Sequence, residues 1–280
     1  MLPFDFDYYK PISLEEAVQL YHKLDHQGKQ PVYFSGGTEL ITLGRLNLAY
    51  TEAVIDIKGI LDLQAVEWSE DQLFLGSGVS LTKIADANVF PLLSQVASGI
   101  ADHTAREKIT LGGNVCARIF YREAALPFLL GGSQVVIAGP KGVRQASFNK
   151  LFSEQLQLDK GELVVQFVTD RKIVEAPFFA VKRRQQWEIG YPLITIAAVK
   201  INGELRVSVS GLCPFPFRST EVEAFLNNRI LSAAERIKGA LEVLPGPILD
   251  DVEGSADYRL FVLGNLLEDV LMQFEGVGRV

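Results

Sequence analysis

Two short glycine loops, Ser35-Gly36-Gly37-Thr38-Glu39-Leu40 and Thr110-Leu111-Gly112-Gly113-Asn114, stand about 75 residues apart in the chain. Adjacent glycines let a main chain turn sharply and approach a ligand with no Cβ in the way, and backbone N–H groups that converge on one point suit an anion such as a diphosphate. The hydroxyls of Thr38 and Thr110 each offer one more donor. Either loop alone has the form of a plain turn or hairpin. Taken together they read as the two halves of a clamp for a dinucleotide diphosphate.

The flanking segments are suited to hold such a clamp. Pro31-Val32-Tyr33-Phe34 reads as a short strand running into the first loop, and Glu39-Leu40-Ile41-Thr42-Leu43 as a helix with a buried first turn, so strand, turn and anion site follow in order. Ahead of them, Ser13 and Glu16 form a capping-box signal for a helix reaching about His26. An apolar strand is expected at Ala53 to Ile57, alternating segments near Leu63 to Trp68 and Leu73 to Gly76, and a helix-rich stretch from Leu81 to Asp102. After the second loop come a short helix at Pro127 to Leu130, a hairpin turning at Gly139-Pro140-Lys141-Gly142, and a strand at Glu162 to Val168. Charge and a proline interrupt the pattern at Asp170 to Pro177. Beyond it, Phe178 to Val181, Ile194 to Ile201 and Leu205 to Ser210 read as antiparallel strands with an Asn202-Gly203 turn, followed by helices at Ser219 to Leu226, Ser232 to Val243 and Ala256 to Phe274.

Composition narrows the partners. A net charge of −7 argues against nucleic acid or an anionic membrane, both of which require a basic face. No signal sequence is read at Met1 to Lys10, and apolar runs such as Pro192 to Val199 are too short to span a bilayer, which points to the cytoplasm. The two cysteines, Cys116 and Cys213, cannot supply the four thiolates of an iron–sulfur cluster and suit a reducing compartment. Cys116 is expected to pack as a small buried residue. His22, His26 and His103 show no metal-ligand pattern and read as surface residues. The run Lys182-Arg183-Arg184 has the form of a solvated strand end.

With these residues in view, the chain resembles the FAD-binding subunits of the molybdenum hydroxylases, as found in xanthine dehydrogenases and carbon monoxide dehydrogenases. Pro11-Ile12-Ser13-Leu14-Glu15-Glu16-Ala17, the two glycine loops, Phe178 to Arg183, Ser210 to Arg218 and Ser255 to Arg259 occur in the family's order. The resemblance implies an α+β fold. It consists of a two-subdomain FAD-binding domain of the vanillyl-alcohol-oxidase (PCMH) type, at 1–55 and 56–174, and a smaller C-terminal α+β domain at 175–280.

The same resemblance implies that Ser35, Gly36, Gly37, Thr38, Glu39 and Leu40, with Thr110, Gly112, Gly113 and Asn114, hold FAD around its diphosphate. Glu123, nine positions beyond Asn114, falls at the adenosine ribose; Val164 is a further cofactor contact; and Lys182 lies beside the flavin ring. A lysine there would stabilise an anionic reduced ring, with Trp187 and Tyr191 lining the ring or a nicotinamide entrance. This chain departs from the family pattern at Ile109, where a Gly is usual, at Glu123, where Asp is usual, and at Arg118-Ile119-Phe120-Tyr121-Arg122, which replaces small residues.

The implied activity is electron transfer: electrons from [2Fe-2S] clusters on a small partner subunit, fed by a large molybdenum subunit, pass through FAD to NAD. The flavin carries the chemistry, so no catalytic residue and no metal ligand is assigned to this chain. The Tyr121-Arg122-Glu123-Ala124 stretch and the compact length resemble the separate flavin subunit of bacterial xanthine dehydrogenases more than the carbon monoxide enzymes. The flavin subunit of a carbon monoxide or aldehyde dehydrogenase, a stand-alone FAD-dependent reductase or oxidase, and a non-catalytic nucleotide-binding module are the rival readings.

Overall fold

The computed structural model describes residues 2–184 and 190–276, arranged around three β-sheets. The first sheet is small and parallel. Strand β1 (Asp7–Tyr9), helix α1 (Leu14–His26), strand β2 (Val32–Phe34), helix α2 (Thr38–Arg45) and strand β3 (Ala53–Asp56) follow in sequence, with strand order β1-β3-β2. Ser13 caps α1 by accepting the Glu16 N–H at 3.2 Å. The Glu16 carboxylate accepts from Ile12 N–H instead of closing the expected box on Ser13. The apolar face of α1, Ala17, Val18 and Leu24, shares one core with Ala53 and Ile55 of β3.

The second sheet is antiparallel. Its elements are β4 (Val66–Ser69), β5 (Gln72–Gly76), α3 (Leu81–Ala87), α4 (Pro91–Ser98), α5 (His103–Arg106), α6 (Leu111–Val115), α7 (Leu126–Gly131), β6 (Gln134–Gly139), β7 (Gly142–Ser147), α8 (Phe148–Leu151), β8 (Leu163–Asp170) and α9 (Arg171–Val174), with strand order β4-β5-β8-β6-β7. Strand β8 is buried on both faces. Leu163 and Val165 join the core beneath the first sheet, while Val164 and Phe167 join the core that holds α3, α4 and α7. A strand that serves two cores must be apolar along nearly its whole length, which is how 163–168 reads.

The third sheet, also antiparallel, is built from β9 (Phe178–Arg183), β10 (Ile194–Ile201), β11 (Glu204–Ser210) and β12 (Phe217–Arg218), ordered β12-β11-β10-β9, followed by α10 (Thr220–Leu226), α11 (Ala233–Glu242) and α12 (Ala256–Glu275). Both Asn202 and Gly203 have positive φ, 52° and 83°, as a tight hairpin between right-twisted strands requires. Strand β10 repeats the logic of β8: Ile194, Ile196 and Ala198 face α10 to α12, and Ala197, Val199 and Ile201 face the core of the second sheet. Among the described residues no helix is long and apolar enough to cross a membrane.

Polar contacts tie the third sheet to the second. Helix α7 is only six residues long, so its terminal carbonyls lack partners within the helix. Arg206 donates to Leu130 O at 3.0 Å, filling that gap from β11, and Ser208 of the same strand donates to Leu126 O in the first turn at 3.2 Å. Arg259 of α12 does similar work within the C-terminal part: it is 0% exposed and donates to Leu193 O, Gly211 O, Gly254 O and the Asp251 carboxylate. Replacing Arg259 by Met strands these acceptors, two of them backbone carbonyls in the core. The expected loss is about 3 kcal/mol or more in urea-induced unfolding, and Arg259→Lys should recover only part of it because one ammonium cannot reach four acceptors.

Candidate functional site

The loops at one end of all three sheets enclose a cleft of about 920 Å³. That volume lies at the upper end of the roughly 300–1,000 Å³ usual for small-molecule sites. All thirteen residues expected from the sequence line it: Ser35 to Leu40, Thr110, Gly112, Gly113, Asn114, Glu123, Val164 and Lys182. Their roles within it differ from one another and, in several cases, from expectation.

The first loop leads from β2 into α2 and is the donor side. Gly37, the cap residue of α2, has φ 70° and no side chain, so no side chain among the described residues caps the helix. The N–H groups of Thr38, Glu39 and Leu40 thus have no acceptor in their own helix, and the positive end of its dipole faces the cleft. Ser35 Oγ, beside them, is buried without a hydrogen-bond partner among the described residues. Leu40 is half-buried rather than buried, because the first turn of α2 forms cleft wall.

Glycine is required here for a reason other than ligand approach. A Cβ on Gly36 would sit 2.0 Å from Lys108 O, and one on Gly37 would sit 2.1 Å from the Phe34 ring. Gly36 thereby lets the first loop lie directly against the backbone that leads into the second.

The second loop is the scaffold side. Leu111 N donates to Val79 O at 2.9 Å, Gly112 N to Ser77 O at 2.8 Å, and Gly113 N to Thr110 Oγ1 at 3.2 Å. Those of Gly112 and Gly113, residues expected to hold a phosphate, thus already have partners, as does that of Leu111 between them and Thr110. Asn114 Oδ1 accepts from Ala124 N at 3.1 Å, which fixes the segment carrying Glu123. Val164 sits at the start of β8, its carbonyl accepting from Ser77 Oγ at 2.6 Å.

Glu39 joins the two sides. Its Oε1 accepts from the N–H groups of Arg118 and Ile119 at 2.8 and 3.0 Å, so it serves as a clasp across the cleft. The strap at 118–122 is held at its other end by Arg122. That side chain is 3% exposed and donates to Ala117 O and Glu154 O.

Glu123 and Lys182 were expected near opposite ends of an extended cofactor, yet the structure puts them in contact. Lys182 Nζ is 3.0 Å from Glu123 Oε2 and donates to Gly99 O at 2.8 Å, and Thr195 Oγ1 donates to Glu123 Oε1 at 2.6 Å. Both residues therefore belong to one end of the cleft. Burial holds Lys182 below the ordinary lysine value, with Glu123 acting against it. The basic run is accordingly not a solvated strand end: only Arg183 faces solvent, while Arg184 also donates to Gly99 O at 2.8 Å.

Cys116 is another correction. It is exposed to the cleft rather than packed, because it follows the single turn of α6 on the cleft side. The protein walls around it push its thiol up to about 12, so it is a neutral side chain. His22 is half-buried against Gly161 rather than on the surface. Tyr191 stacks on Tyr121 at 4.8 Å on the cleft wall, whereas Trp187 lies outside the described residues. The sequence reading missed Ala101, a cleft residue with φ 50°, and Arg118 as a cleft side chain. The first carries no local signal; the second was visible as a large cation among small family residues.

The family model described as "FAD binding domain in molybdopterin dehydrogenase" matches residues 4–168, more than half of the chain, and the chain belongs to that family. The xanthine dehydrogenase FAD-binding subunit of Escherichia coli O157:H7 is 25% identical over 291 residues, covering 96% of each chain. The carbon monoxide dehydrogenase medium chain of Hydrogenophaga pseudoflava is 22% identical, covering 97% of each. A solved structure of the carbon monoxide dehydrogenase from that bacterium superposes with a TM-score of 0.87 at 22% identity, over 99% of both chains. The fold is thus the α+β, PCMH-type FAD-binding fold, and the cofactor is FAD. The site fits it: a cleft of dinucleotide size, an uncapped helix N-terminus and the unpartnered Ser35 hydroxyl meet at one place.

Two substitutions test the geometry. Gly36→Ala must separate the loops, and a loss of about 2 kcal/mol or more in thermal or urea unfolding is expected. Glu123→Gln leaves Lys182 buried without a counter-charge, for about 3 kcal/mol at neutral pH. The sign of its pH dependence follows from a folded-state lysine pKa below the unfolded 10.5. The cost is fully present below the folded value and fades as pH rises toward the unfolded one. Urea melts at pH 7 and pH 10 should therefore show the gap between wild type and Glu123→Gln narrowing at the higher pH.

Proposed function

We propose that this chain is the electron-transfer flavin subunit of a molybdenum hydroxylase, of the xanthine dehydrogenase type, with NAD as the acceptor. The observation that carries the reading is the cleft itself, in which the donor side of the first loop and the scaffold side of the second lie backbone to backbone. FAD bound there supplies exchange between single electrons, arriving from iron–sulfur clusters, and a hydride given to NAD.

Those clusters belong to a partner in this reading. Cys116 and Cys213 are the chain's two cysteines; one opens to the cleft and the other is fully buried, so together they are no ligand set. A small [2Fe-2S] subunit and a large molybdenum subunit complete the assembly, and Val252, Tyr258 and Phe261, exposed around the start of α12, are apolar surface of the kind such assemblies cover. The reading places residues 1–55 and 56–174 as the two parts of the flavin domain and 175–280 as the C-terminal domain, in the cytoplasm. The three sheets and the unpaired cysteines support both placements.

The chain purified without partners should carry flavin that NADH bleaches under anaerobic conditions. It should be inert toward purines and aldehydes, and gain that activity only when iron–sulfur and molybdenum subunits are added. Purine turnover by the metal-free chain alone would contradict the subunit reading and favour a stand-alone oxidoreductase.

A further inference from the structure

The strap at 118–122 carries two arginines with opposite fates. Arg122 is buried, its two terminal guanidinium nitrogens donating to backbone carbonyls and its face lying over the Phe152 ring. Arg118 is exposed on the cleft wall, and no hydrogen bond or ion pair of its guanidinium is found among the described residues. Its backbone is nevertheless fixed, because Arg118 N donates to Glu39 Oε1 at 2.8 Å. Glu39 lies in the first turn of α2, so this bond anchors Arg118 beside the uncapped helix N-terminus and the unpartnered Ser35 hydroxyl.

The opposite wall has committed its glycine amides. The N–H groups of Leu111, Gly112 and Gly113 are bonded within the protein. A diphosphate seated at α2 would thus meet donors on the first-loop side, while the Leu111, Gly112 and Gly113 amides on the second-loop side are already bonded. The exposed cation held at the junction of the two is Arg118, and a guanidinium presents paired N–H groups that match phosphate oxygens.

We infer that Arg118 is a cofactor-binding residue whose guanidinium closes over the diphosphate, supplying from a side chain the donors that the second loop has committed to its own fold. The inference rests on this cleft being the FAD site. It makes the strap part of the binding machinery, with Arg122 and Glu39 holding it and Arg118 engaging the ligand.

The test is a binding titration of the flavin-free full chain, wild type against Arg118→Ala and Arg118→Lys, with FAD, ADP and riboflavin at low and high salt. Loss of one charge-assisted contact should weaken FAD and ADP about ten-fold in Arg118→Ala. Riboflavin, which has no phosphate, should be unaffected; the salt dependence of FAD binding should flatten; and Arg118→Lys should keep part of the affinity. FAD and ADP affinities within about two-fold of wild type would overturn the inference. So would equal weakening of riboflavin and FAD, which would mean that the substitution had changed the shape of the strap. A wild-type chain that binds neither FAD nor ADP overturns the FAD reading of the cleft and the inference with it, a signature distinct from the other two.

Discussion

The cleft depends on one close approach, that of the Gly36 backbone to the carbonyl of Lys108, where an added Cβ would have only 2.0 Å. Because the two backbones touch there, α2 points its uncapped end over the second loop, and Glu39 reaches the strap at 118–119 with two hydrogen bonds. The glycines thus bring two layers of the protein together, and the ligand surface follows from that contact. A loop that is rigid because its own N–H groups are satisfied faces a helix end whose N–H groups are free.

The third sheet closes the far end of this cleft, and its attachment sets the geometry there. Strand β10 is covered on both sides, so the sheet cannot shift without opening two cores at once. Within that frame Glu123, Lys182 and Thr195 form a polar knot between the second loop's descending segment and strands β9 and β10. Buried ion pairs add little net stability relative to apolar packing, yet losing one partner is costly. Their value lies in position: the knot fixes which charge stands at the end of the cleft and leaves Lys182 partly neutralised by its partner.

Much of this was legible in the sequence because the signals were local. The Asn202-Gly203 turn, the Ser13 cap of α1, the helices near Ser219, Ser232 and Ala256, and the antiparallel strands at Ile194 and Leu205 fall where they were read. The two glycine loops also lie together in one cleft. What failed were statements about direction and partner. Whether Gly112 N–H points at a ligand or at Ser77 O depends on a chain segment more than thirty residues away. The pairing of Glu123 with Lys182 spans 59 positions, and no periodicity reports it. Cys116 was read from the average behaviour of its residue type, which a one-turn helix on a cleft wall overrides.

The central claim is that the two loops divide the labour, one donating and the other holding shape. Amide hydrogen exchange resolved to peptides 35–43 and 109–116, with and without FAD, reads that division directly. The account predicts slow exchange at Leu111 and Gly112 in either state, since both N–H groups are bonded within the protein, and FAD-dependent protection at Thr38, Glu39 and Leu40. Fast exchange at 111–112 that slows on adding FAD, with no change at 38–40, would contradict it.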